Sequence, residues 1–178
     1  MKQKILHVMP ECYVDTNLTE YLLDAAVNHQ HSCTKVIGLL KDKFADKFAV
    51  GIIDKDKVEL GYIRECEELA KTSHLTLLKH KMTPHYLITI HPAIDGFVLD
   101  CAKEQGINPE DYGIPSKLKA FTKVSKSVTS NTDVRFKNLF AAIKDNTEVK
   151  VLKKTLKYLC QNQYRSDIAQ LKGLYENE

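Results

Sequence analysis

Hydrophobic positions along this chain recur in two periods, and the change from one to the other marks the elements. Residues 4–9, "KILHVM", form a short apolar run closed by Pro10, the pattern of a buried strand. Across 15–27, Leu18, Tyr21, Leu22, Ala25 and Ala26 follow helical spacing, with Asn17 and Glu20 placed as a capping box. A second helix is predicted over 33–46, where Val36, Ile37, Leu40 and Phe44 share a face despite Gly38. "KFAVGIID", 47–54, reads as the next buried strand. A strand, helix, helix, strand order predicts that the strands over 4–9 and 48–54 are parallel neighbours. The charged segment 62–72 reads as a surface helix, and 75–81 and 85–91 as two strands forming a hairpin or edge pair. Pro92 at the first helical position and Gly106 past the end predict a helix over 92–106. Beyond the turn-rich 107–116, helices are expected near 117–125, 132–145, 147–162 and 166–175, with 124–131 as a loop. The pattern is an α/β unit over 1–113 followed by a helical extension over 114–178 that packs on it.

The totals change this picture in one respect. With 178 residues, 43% hydrophobic and 28% charged, the chain has the make-up of an ordinary globular domain. The formal net charge of +3 conceals an asymmetry. Residues 114–178 hold 13 of the 26 Lys and Arg and 6 of the 23 acids, giving +7 and leaving −4 for residues 1–113. An acidic unit with a basic extension suggests a nucleic-acid partner. No apolar stretch approaches the roughly 20 residues of a membrane span, and the N-terminal apolar run is too short for a signal peptide. Five scattered cysteines without a C-x-x-C pair point away from a disulfide framework or thiolate zinc site, and toward a reducing, cytoplasmic setting.

Candidate chemistry gathers where apolar runs end. Glu11 follows the first strand, and Asp54 and Asp56 follow the second in "VGIIDKDK". If the strands are neighbours, three carboxylates meet at one sheet edge, where ligands of α/β sheets collect. Such a group suits Mg²⁺ or Mn²⁺, which take oxygen ligands and relieve carboxylate repulsion. The plainer reading makes Asp54 a turn residue and Asp56 a partner of Lys55 and Lys57. Asp15 is a further acid or a helix cap, and Asp95 a further acid or a dipole partner in the first helical turn. Cys12 is a packed filler or a reactive thiol beside the acids. His29 and His31 have H-x-H spacing but lack accompanying ligands, so they read as a polar loop; His85 and His91 flank an apolar strand. Lys150, Lys153, Lys154 and Lys157 recur at i, i+3, i+4 and i+7, opposite Val149, Leu152, Leu156 and Leu159. They form either a solvated face or a phosphate-tracking surface. Serine-hydrolase, Walker and dinucleotide fingerprints are absent.

"HVMPECYVDTNLTEYLL", carrying Glu11 and Asp15, and "VGIIDKDK", carrying Asp54 and Asp56, resemble the two motifs of the Toprim fold. That fold is the catalytic module of topoisomerases, primases and overcoming-lysogenization-defect nucleases. "HPAIDGFVLD" is similar to the proline-then-acid helix of Toprim-like bacterial defence proteins, with Asp95 in place of a more usual glutamate. The resemblance covers about residues 3–106; Cys12 stands where the family has glycine. It implies a Rossmann-like, mostly parallel sheet flanked by helices, and Mg²⁺-dependent phosphodiester hydrolysis or phosphoryl transfer in phage defence or DNA processing. Glu11, Asp54 and Asp56 would be metal ligands or catalytic groups, and the lysine stripe would hold nucleic acid. A non-catalytic interaction protein on the same fold and a small-molecule phosphohydrolase are the alternatives.

Overall fold

The computed structural model describes residues 4–55 and 61–176. A five-stranded sheet organises them. Its strands are β2 (Val8–Pro10), β4 (Ala49–Asp54), β5 (Cys66–Lys71), β6 (Leu75–His80) and β7 (His85–Ile90), in the order β2-β4-β7-β6-β5. β2, β4 and β7 run parallel, with Val8 opposite Val50 and Val50 opposite Tyr86. The parallel pairing expected of the first two apolar runs is therefore present. β6 and β5 are added antiparallel, so the sheet is mixed rather than mostly parallel.

Strand periodicity explains how a continuously apolar strand serves two layers. In β4, Val50 and Ile52 face one core with Val8, Ile88 and Ile90, whereas Ala49 and Ile53 face a second with Met9 and Leu87. The second face is covered by α2 (Cys33–Lys41) through Val36, Ile37 and Leu40, and by Tyr62 of the short α3 (Gly61–Arg64). Gly51 permits this contact. A Cβ there would stand 2.6 Å from Leu87 Cδ2 and 2.8 Å from Val36 Cγ1.

The first face carries α1 (Tyr13–Leu23), α4 (Ile94–Glu104), α5 (Leu118–Ser125), α6 (Val134–Ala142), α7 (Thr147–Asn162) and α8 (Ile168–Glu176). Phe121, Phe136, Phe140, Leu152 and Leu171 join Val8, Leu18 and Ile88 in a single core. Asn17 of α1 is fully buried and donates from Nδ2 to the carbonyls of Ser130 and Asp133, at 2.7 and 3.2 Å.

Several local expectations are corrected. The first apolar run breaks at residues 6–7 into β1 (Lys4–Ile5) and β2, because β1 leaves the main sheet to pair with β3 (Ala26–Val27). The helix expected through 27 therefore ends at Leu23, with Asp24 left-handed at φ 50°. Its cap is Cys12 with Asp15, not Asn17 with Glu20. Pro92 precedes α4, whose N-cap is Ala93. Residues 62–72 are mainly strand: β5 is an edge whose Glu67, Glu68 and Lys71 are exposed and only Leu69 is buried. Charges that guard a sheet edge against further pairing mimic a solvated helix in sequence. Among the described residues, no helix is long and apolar enough to cross a membrane.

Candidate functional site

β2 and β4 end together at one edge of the sheet, and α4 begins there. Glu11 leaves β2 directly after Pro10, and Asp54 is the last residue of β4; they are 2% and 6% exposed. The Asp54 backbone N–H donates to Glu11 Oε2 at 3.2 Å, tying the two strand ends. Asp54 Oδ1 accepts from the N–H of Ile94, the first residue of α4, at 3.0 Å. Three segments distant in sequence therefore meet at Asp54.

Asp15 comes to the same edge from the first turn of α1. Its Oδ2 accepts from the Cys12 N–H at 3.0 Å, and its Oδ1 is buried without a hydrogen-bond partner. Burial, and next the charge of Asp54, push its carboxyl up to about 8, with Glu11 adding to the effect and the Cys12 bonds opposing it. Asp15 thus retains its proton at neutral pH. Asp95, the second residue of α4, is also buried with a partnerless Oδ1. The Cys12 thiol is raised far above its usual range, chiefly by burial and then by Asp15. It stays protonated, which removes the thiolate-nucleophile reading.

The structure therefore brings Glu11, Asp15 and Asp54 together, with Asp95 on the helix that meets Asp54. Asp56 lies outside the described residues. Among the described residues, no group of three or more His, Cys, Asp or Glu forms a ready arrangement for a metal ion. A Mg²⁺ site has a smaller demand, since one or two carboxylates suffice when water and substrate phosphate complete the shell. Glu11 and Asp54 supply oxygens of that kind, and Asp15 Oδ1 and Asp95 Oδ1 are buried polar atoms left without a partner beside them.

No family model, curated protein or solved structure matches the chain. The site rests on its own geometry.

The histidines divide into two groups. His85 is a satisfied core residue: Nε2 meets the Phe44 carbonyl at 3.0 Å, and Nδ1 meets the hydroxyls of Tyr62 and Thr83. His91 is exposed. His29 and His31 lie in the loop between β3 and α2, as expected. Their rings pack with Tyr13, two residues beyond Glu11, an association that spacing alone does not reveal.

The lysine stripe lies along the outside of α7. Lys150, Lys154 and Lys157 are exposed and Lys153 is partly so, while Val151 and Thr155 widen the buried face beyond the four apolar positions read from spacing. α7 starts where Glu148 accepts from the His74 N–H, next to the turn whose carbonyl meets His91 N–H. It ends with Lys157 and Cys160 around a pocket lined by Ile5 and His7. The stripe therefore runs from the carboxylate end of the sheet to the opposite end. Lys150 lies 3.8 Å from Asp145, so one of its charges is already partly answered.

Proposed function

We propose that this chain is a Toprim-like, metal-dependent phosphodiester-processing domain that hydrolyses or transfers phosphoryl groups of nucleic acid. The observation that carries the reading is the junction of Glu11 and Asp54 at the ends of adjacent parallel strands, with Asp15 crowded against them. Glu11 and Asp54 would hold Mg²⁺ or Mn²⁺, with Asp56 two residues beyond Asp54 in sequence. Such an ion supplies charge neutralisation at a phosphoryl oxygen and a water of lowered pKa. The chain's own part is positioning. The bond from Asp54 N–H fixes Glu11, and Ile94 N–H fixes Asp54, so both carboxylates are oriented before any ligand arrives. Asp15, buried beside them, keeps its proton in the metal-free protein. The lysines of α7 would hold the sugar-phosphate backbone without reading its sequence.

The test pairs thermal melting with cleavage of labelled DNA and RNA in Mg²⁺ or Mn²⁺. An ion that binds only the folded state contributes about 2.7 kcal/mol at a hundredfold excess over Kd. Asp54→Asn should abolish both the metal-dependent rise in Tm and cleavage, and Glu11→Gln should follow it. Asp42→Asn, at the far end of α2, should leave both unchanged. A wild-type Tm that ignores millimolar metal, together with Asp54→Asn indistinguishable from wild type in cleavage, would overturn the reading.

A further inference from the structure

Three aromatic rings crowd the lip of the carboxylate edge and serve neither core. Tyr13 and His29 are stacked, with centroids 4.6 Å apart and planes 22° from parallel. His31 meets both edge-on, at 5.9 Å from Tyr13 and 4.7 Å from His29. Neither apolar cluster includes them. Tyr13 and His29 are partly exposed, and His31 is exposed.

The segment that carries the two histidines is anchored. Asn28 N–H and Gln30 N–H donate to the carbonyls of Val8 and Pro10, both at 3.0 Å, so residues 28–30 run alongside β2 to its end. Ser32 then caps α2 through the Lys35 N–H, fixing the other side of the segment. The His29 ring is fixed as well. Thr16 Oγ1 donates its single proton to the Cys12 carbonyl at 2.7 Å, so at 2.7 Å from His29 Nδ1 it can only accept. His29 therefore carries its proton on Nδ1, and its Nε2 is a buried acceptor without a hydrogen-bond partner in the protein.

Rings with solvent-facing surface, a backbone anchored along β2 and a position two residues from Glu11 describe a place for a flat, stacking group next to a phosphate. We propose that Tyr13, His29 and His31 form a shelf that takes an unpaired nucleobase adjoining the phosphodiester held at the carboxylate edge. This rests on the phosphodiester reading above and extends it to the substrate class: single-stranded or frayed nucleic acid, not intact duplex. Every base presents a π face, so the shelf selects for an unpaired base and not for a sequence.

The test measures binding by fluorescence anisotropy at low salt with Ca²⁺ in place of Mg²⁺ and the probes checked intact afterwards, which separates it from cleavage. The probes are labelled 15-mers of thymidine and of uridine, an abasic 15-mer of equal charge, and a 15-base-pair duplex. Stacking of a base on an aromatic ring is worth about 5- to 150-fold in affinity. The wild-type protein should favour the base-bearing strands over the abasic strand and the duplex by a factor in that range. His31→Ala, an exposed change, should cut that preference, and Tyr13→Leu with His31→Ala should bring it to about one while leaving abasic affinity unchanged. Tyr13→Phe should retain it. Equal wild-type affinity for base-bearing and abasic strands, no binding to either, or a preference that survives in the double variant would overturn the shelf. A base preference in a protein that never cleaves supports the shelf and removes the phosphodiester reading; cleavage without base preference does the reverse. The DNA and RNA arms report which sugar the site accepts.

Discussion

Asp15 shows how one carboxyl can be governed by its neighbours. Its ordinary value of 3.8 is raised to about 8 by burial and by Asp54 and Glu11. Below about pH 4 both the folded and the unfolded chain hold this proton, so folding is indifferent to it. Between about pH 4 and 8 the unfolded chain releases the proton and the folded chain keeps it, so this group subtracts stability as pH rises. Above about pH 8 both states are ionised and the loss levels off. Urea unfolding in EDTA should therefore show Asp15→Asn gaining on wild type through that window, and a difference flat in pH would contradict the assignment. Glu11, Asp15 and Asp54 were legible in sequence because each stands just past an apolar run or opens a helix. The shelf was not. Tyr13 and Thr16 meet His29 across 13 to 16 residues, and no local spacing encodes that contact.

Elements were legible to the degree that one layer determined their pattern. α7, with a single buried stripe, has the bounds that its spacing predicts. β5 was misread because its side chains answer to an edge and not to a core, and charge overrode alternation. β4 was easy to recognise as a strand, yet its apolar run does not show that α2 presses on Gly51. There a glycine is required for a close approach, with no unusual φ involved. Gly51→Ala must displace both Leu87 and Val36, and overpacking of this kind costs about 1–3 kcal/mol. Chemical denaturation should record that loss with the secondary structure intact. A neutral result would mean that α2 can slide over the sheet without penalty.

The chain as a whole does not divide where its charge does. The basic stretch beyond residue 113 contributes Phe121, Phe136, Phe140, Leu152 and Leu171 to the core that holds Val8 and Ile88. Composition located the change in character, but not the shared interior, since a helix's apolar stripe does not name its partner. Residues 1–113 expressed alone should lack near-ultraviolet circular dichroism and cooperative unfolding; a sharp thermal transition would show that the first segment stands unaided. Asn17 adds a specific tie, because the helix that bears Asp15 is bonded to Ser130 and Asp133. This arrangement bears on the order of events during synthesis. Translation proceeds at about 5–20 residues per second, so residues 114–175 follow residue 113 after roughly 3–12 s. For that interval the nascent sheet shows the ribosome's surroundings the apolar face that α5 to α8 will cover, an open invitation to a chaperone.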